Sequence, residues 1–330
     1  FMSRLFLLLG LTVAVYSALW SAGFVWDDIP LIVQNQALLD WSIWSIFGSD
    51  LWADSGAGEV ASGYYRPLVL LSFALDRAVF GLEPGGYHLH SLGWHLAAVV
   101  GLYRLLRDVA GEDAALVAAS LFALHPAQSE VVSWIAARND LMAATFGFFA
   151  LGVVWNGSRP SRKDWILASF LTVMACLSKE TAFVLPALLF SADIARQRKD
   201  GIWSRCSPLV MGVLFVGGVR VALGLGGAVW PSGDGWALLF DSFVGWAGIM
   251  GSTFLSPWPL SSARDLAWLS MGSPVRVGIG LLFWLSLLMV VSVARDDRRR
   301  LMQMGLVWLI MLLAITLVPT ADKGGFGDRF

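Results

Sequence analysis

Apolar residues run in long, unbroken stretches along most of the chain. Such runs predict α-helices that cross a bilayer, which takes about 20 apolar residues per crossing. They fall at 5–24, 87–106, 113–126, 140–156, 165–178, 181–195, 203–223, 275–294 and 301–319. The runs 113–126 and 165–178 are short for a bilayer, so both are expected to extend into polar flanks held inside the bundle. Strands of a β-barrel would alternate in short segments, which these runs do not. The expected fold is all-α, a polytopic transmembrane helical bundle of about nine crossings. Residues 1–330 then form a single transmembrane domain.

The stretches between the runs add detail. The segment 25–86 is the longest polar interval and is read as the first outer loop. Trp41, Trp44, Phe47 and Trp52 in it are spaced for a short amphipathic helix on the membrane surface. Residues 67–80 are apolar but carry Asp76 and Arg77, and predict a second interfacial helix in the same loop. The apolar segment 236–256 is read as a helix that lies along the outer interface or re-enters it. A full crossing there would put the Arg-rich run 295–300 on the wrong side.

Composition supports this picture. Apolar types make up 57% of the 330 residues and charged types only 14%, against about 25% charged in soluble domains. Mean hydropathy is +0.68. A soluble globular enzyme and a disordered chain are excluded. Net charge is −1, so nothing electrostatic points to nucleic acid as a partner. Cys176 and Cys206 sit in or beside apolar runs and define neither a disulfide framework nor a metal site.

Basic residues set the orientation. Arg4, Arg104, Arg107, Arg159, Arg162, Lys163, Arg196, Arg198, Lys199, Arg205 and the arginines of 295–300 all fall on alternate loops. Basic residues concentrate on the cytoplasmic face of a membrane protein. The N-terminus is therefore expected inside, and Thr320–Phe330 outside.

The polar groups at span ends gather on the outer face, where a charge at membrane depth costs several kcal/mol, about 3 or more, unless it has a partner. Asp27 and Asp28 end the first span; they are candidates for a general base, or simple caps facing water. Arg66 stands just before Pro67, suited to an anion or to snorkelling at the interface. His88, His90, His95 and His125 lie at the outer ends of the second and third spans, and are candidates to orient substrate or to pack. Their spacing is not diagnostic of a metal. Glu130, Arg138 and Asp140 occupy the turn before the fourth span, and Lys179 and Glu180 the turn before the sixth. Arg138 and Lys179 are open to either structural ion pairs or a phosphate. Together these groups predict a cavity with cations for an anionic lipid head group and carboxylates for proton abstraction.

Four blocks carry a family resemblance: FVWDDIPLIVQN at 24–35, YYRPLVLLSFALDRAVFGLEPGGYHLHSLGWH at 64–95, LFALHPAQSEVVSWIAARNDLMAA at 121–144 and LSKETAFVLPALLFSAD at 177–193. In this order they resemble membrane glycosyltransferases of the GT-C fold, specifically the tetratricopeptide-repeat protein O-mannosyltransferases and their bacterial relatives. The resemblance implies a sugar carried on polyprenyl phosphate as donor, a protein or glycan hydroxyl as acceptor, and inversion at the sugar carbon. It implies Asp27 as the base, with Asp28 beside it. Donor-phosphate contacts fall to Arg66, Arg138, Lys179 and Arg329, and substrate-orienting contacts to His88, His95, His125, Glu130, Asp140 and Glu180. No cofactor is required by this chemistry and no metal site is expected, although a divalent metal is compatible with it. Membrane lipids surround the chain, and partners in a membrane complex are compatible with the layout. The implied location is a bacterial inner membrane with the active site on the periplasmic or extracytoplasmic side. Where relatives have Asn, His and Gly-Arg-Ala-Asp, this chain has Ser91, Gln128 and Ala137-Arg138-Asn139-Asp140. A catalytically degenerate relative serving as a structural or assembly subunit is the alternative. ADKGGFGDRF at 321–330 resembles the start of a further outer loop, so a C-terminal continuation is expected.

Overall fold

A computed structural model describes residues 2–55, 63–156, 159–198, 200–225, 289 and 302–308. The described residues are helical and contain no strand. Helix α1 (Met2–Val15) continues as a 3₁₀ segment, Ser17–Ser21, rather than as one α-helix to residue 24. Ser17 and Ser21 each donate their hydroxyl to the carbonyl three residues back, which tightens the turn. A single π-turn, Ile29–Val33, follows the Asp27-Asp28 pair. Two short helices come next, α2 (Gln36–Leu39) and α3 (Ile43–Gly48). Asn35 caps the first of them and Ser42 the second, each accepting a backbone N–H. Trp44 and Phe47 lie on α3, with Trp44 exposed and Ile46 buried, whereas Trp41 and Trp52 flank it.

Helix α4 (Pro67–Phe80) coincides with the predicted interfacial helix. Pro67 opens it at a position that needs no N–H, and Gly81, at φ 62°, closes it. Helices α5 (Pro84–Ala110), α6 (Glu112–Leu124), the short α7 (Gln128–Ser133), α8 (Arg138–Trp155) and α9 (Arg162–Ser178) follow. Ser161 and Asp164 form a capping box at the start of α9. A 3₁₀ turn, Glu180–Val184, precedes α10 (Leu185–Ala195). Pro186 in the first turn of α10 has no N–H and its ring crowds the carbonyl of residue 182, so the α-helix starts at Leu185 rather than at 181. Helix α11 (Ile202–Ala222) completes the described set.

The predicted spans 5–24 to 203–223 thus fall on helices. Two helices among the described residues are long and apolar enough to cross a membrane unaided, Ser3–Ser21 and Ile202–Ala222. The others are interrupted by polar positions or are short; α5 spans about 40 Å at 1.5 Å per residue but carries three histidines in its first half. The spans 275–294 and 301–319, apart from residue 289 and a helical piece at 302–308, lie outside the described residues, as do 236–256, 295–300 and Arg329.

Contacts divide the chain into two units. The first holds Phe1–Pro186 and Asp200–Gly227. In it α5 packs on α6 and α8, α8 on α9, and α9 on α11. The last pair comes close because Gly212 has no side chain: a Cβ there would lie 2.8 Å from Thr172 Cβ and 3.0 Å from the Ser169 carbonyl. In the second unit the Trp308 indole N–H lies 3.0 Å from the Leu188 carbonyl and 3.1 Å from Ser191 Oγ.

Side-chain contacts sort the helix ends of the first unit. Arg4 pairs with Asp113, Asn156 bonds Asp108, and the Trp165 indole bonds Ser207, so these chain positions share one end. Residues 28, 66, 136–140, 179–180 and 220 are joined at the other.

Candidate functional site

At this second end the chain turns sharply and polar side chains meet. Asp28 is fully buried. Its Oδ2 accepts the Val25 N–H at 3.0 Å, and its Oδ1 accepts the Ala136 N–H at 2.8 Å, more than a hundred residues away. Burial pushes its carboxyl up to about 6, the two backbone N–H groups and Arg138 pull it down, and Asp27 adds to the rise. Asp27 is half-buried. Trp26, just before it, holds a left-handed φ of 49°, and its ring meets Trp134 edge-on at 5.8 Å.

Two residues beyond Ala136 stands Arg138, whose side chain is completely buried. Its Nη1 lies 2.6 Å from Asp76 Oδ2 and 3.1 Å from Ser72 Oγ. Nε donates to Ser91 Oγ at 3.0 Å, and Nη2 donates to the Tyr87 carbonyl at 2.8 Å. The guanidinium also sits over the Phe73 ring. Arg138 therefore fastens the start of α8 to α4 and α5. His90 completes this network. Its Nδ1 lies 2.5 Å from Asp76, and its Nε2 accepts the Trp94 indole N–H at 3.0 Å. An acceptor at Nε2 and a carboxylate at Nδ1 assign the neutral, Nδ1-protonated tautomer.

One turn into α8, Asp140 holds Lys179 at 2.5 and 2.6 Å from its two oxygens. The next residue, Glu180, meets two arginines. Arg66 Nε and Nη2 lie 3.0 and 2.9 Å from Oε2, and Arg220 Nη1 lies 3.3 Å from Oε1, which also accepts the Tyr65 N–H. Burial works against the Glu180 charge, but Arg66 and Arg220 outweigh it and hold the carboxyl below its ordinary range. The group Arg66, Arg220 and Glu180 carries a net positive charge. Arg220 also donates to the Gly63 carbonyl, which fixes the end of α11 to the chain ahead of α4.

The structure thus links Asp28, Arg138, Asp140, Lys179, Glu180 and Arg66 through contacts and chain neighbours. Of the four histidines only His90 bonds into this network. His88 is buried against the backbone of Ala22 and Gly23. His95 lies 3.1 Å from the Ala123 carbonyl and meets Tyr16 edge-on. His125 accepts the Ala127 N–H in its own turn. Glu130 is exposed on α7. Among the described residues no three His, Cys, Asp or Glu converge on a metal position. Asp76 and Arg220 are the groups absent from the sequence-derived site. Asp76 and Arg220 each carried a signal, a charge inside an apolar run.

Comparison with known proteins follows this geometry. The family model described as dolichyl-phosphate-mannose-protein mannosyltransferase matches residues 67–219. Protein O-mannosyl-transferase TMTC3 of Mus musculus is 29% identical over 180 residues, 53% of this chain and 20% of that protein. Protein O-mannosyl-transferase TMTC2 of Mus musculus is 38% identical over 144 residues, 43% of this chain and 17% of that protein. Protein O-mannosyl-transferase Tmtc2 of Drosophila melanogaster is 32% identical over 222 residues, 62% and 23% respectively. The chain spans about a fifth of the length of these relatives. No solved structure matches. The matched stretch runs from the start of α4 almost to the end of α11 and contains Arg138, Asp140, Lys179 and Glu180, with Arg66 and Arg220 one residue beyond its two ends, so the resemblance to GT-C membrane glycosyltransferases read from the sequence is borne out by similarity to the mannosyltransferase family.

Proposed function

We propose that this chain is the membrane part of an integral-membrane glycosyltransferase of the protein O-mannosyl type. It moves a sugar from polyprenyl phosphate to a hydroxyl of a protein or glycan on the non-cytoplasmic side of a bacterial inner membrane. About nine crossings and an N-terminus inside complete this reading. The observation that carries it is the cationic network at one end of the bundle, where Arg66, Arg220 and Lys179 are connected through Glu180, Asp140 and residues 136–138 to the segment bearing Asp27 and Asp28.

The acceptor hydroxyl oxygen attacks the anomeric carbon from the face opposite the phosphate. The carbon–oxygen bond to phosphate breaks, and the configuration inverts. The hydroxyl proton passes to Asp27, the half-buried member of the pair. The polyprenyl phosphate leaves with the bonding electrons, and Arg66, Arg220 and Lys179 stabilise the added negative charge. Arg138, buried with its donors on protein partners, shapes the site instead of touching the donor. Phosphate is a good leaving group, so no step requires a metal.

The test uses the full-length protein in lipid nanodiscs with polyprenyl-phosphate mannose and a serine/threonine-containing peptide. Wild type should transfer mannose with inversion, and Asp27→Asn should fold normally and transfer none. No transfer by wild type would favour the subunit role, and normal turnover by Asp27→Asn would remove Asp27 from the mechanism.

A further inference from the structure

Asp27 is bracketed by two grips on one turn. The residue before it, Trp26, meets Trp134 edge-on at 5.8 Å. The residue after it, Asp28, accepts the Ala136 N–H at 2.8 Å and folds back on the Val25 N–H at 3.0 Å. The turn they grip is itself immobilised, because Arg138 ties its far end to α4 and α5 through Asp76, Ser72, Ser91 and Tyr87. Asp27 therefore sits on a short segment clamped from both sides to a buried anchor. The left-handed φ of Trp26, uncommon for a bulky residue, persists because its neighbours over-determine it.

We propose that Asp28 and Trp134 are positioning residues that set the place of the Asp27 carboxylate, and that Asp28 takes no proton in the reaction. This rests on the reading of Asp27 as the base. Two observations separate the roles of the paired acids. Asp28 is fully buried, and both its oxygens already accept backbone N–H groups. Asp27 is half-buried, as a base that must meet a substrate hydroxyl requires. A base held a fraction of an ångström from its place loses rate without losing substrate, since a misplacement of about 1 Å costs about 10²-fold.

The experiment compares wild type, Asp28→Asn, Trp134→Leu and Asp27→Asn as full chains in nanodiscs. Backbone hydrogen exchange is read at 25–28 and 134–137, and kcat and KM for the polyprenyl-phosphate donor are measured in parallel. Asn offers one acceptor oxygen where Asp offers two, so Asp28→Asn loses one of the two backbone bonds. Protection at 25–28 and 134–137 should fall about tenfold, the change expected for about one hydrogen bond. The kcat should fall about 10²-fold with KM little changed. Trp134→Leu touches no carboxylate and should lower both protection and kcat in the same direction. Asp27→Asn should abolish kcat and leave protection at 134–137 intact. Loss of kcat in Asp28→Asn with unchanged exchange would overturn the proposal and make Asp28 a direct participant. Unchanged kcat and exchange in Trp134→Leu would overturn the bracket. If wild type transfers no sugar the functional reading fails, and the exchange data still decide whether Asp28 and Trp134 clamp the segment.

Discussion

Removing the carboxylate of Asp76 would strand a fully buried guanidinium. The Arg138 side chain has no exposed surface and that of Asp76 has 4%, with 2.6 Å between Nη1 and Oδ2. In Asp76→Leu, Arg138 keeps the two serine hydroxyls and the Tyr87 carbonyl but has no carboxylate in contact. Breaking a buried ion pair from one side costs about 3–5 kcal/mol, and the remaining neutral acceptors place this case near the lower end, about 3 kcal/mol. For a unit of this size each kcal/mol moves Tm by about 2–4 °C, so Tm should drop by about 6–12 °C. Arg138→Met should cost a similar amount from the other side, leaving Asp76 with His90 as its contact. The double variant Asp76→Leu/Arg138→Met buries no charge. Its remaining loss is the Tyr87 carbonyl and the serine hydroxyls, about 1 kcal/mol for each group left unpaired. It should therefore be less unstable than the sum of the single changes by about 2–3 kcal/mol. The assay is thermal unfolding of the purified chains in one fixed detergent, followed by tryptophan fluorescence and circular dichroism. Additive losses, or single variants as stable as wild type, would refute the reasoning that this pair anchors the site.

Asp28 makes stability depend on pH, because its carboxyl in the fold titrates at about 6 against an ordinary 3.8. Between these values the folded state keeps a proton that the unfolded state has released, so this contribution to stability falls as pH rises from about 4 to about 6 and stays lost above that. The full difference is on the order of 3 kcal/mol, and a Tm–pH series should show the slope in wild type and not in Asp28→Asn; equal slopes would remove Asp28 as its source. Arg220→Gln withdraws one of the two cations facing Glu180 and should raise KM for the polyprenyl-phosphate donor about tenfold, equivalent to about 1.4 kcal/mol. An unchanged KM would show that the donor phosphate does not approach α11.

The order of helices was legible in the sequence because apolar burial along a single helix is a local property, written in consecutive residues. Each predicted span between 5 and 223 falls mainly on helix, and 67–80 matches the bounds of α4. The gathering of Arg66, Arg138, Asp140, Lys179 and Glu180 at one end followed from the alternation of basic loops, since helices joined head to tail return every second turn to the same end. The partner of each charge was not legible. Asp76 and Arg138 are 62 residues apart and Glu180 and Arg220 are 40 apart. Whether Lys179 takes Asp140 or Glu180 depends on how α8 and α9 rotate against each other, which is set by packing. The same holds for the histidines. His88 and His95, seven residues apart, share one face of α5, and that face packs against Ala22–Gly23 and Ala123, so they are buried against backbone instead of bonding to the carboxylates. The paired acids Asp27 and Asp28 are adjacent and chemically alike in the sequence. Only the tertiary fold separates them, by bringing the Ala136 N–H against one and leaving the other half-exposed, because burial and hydrogen bonding are decided by segments distant in the chain.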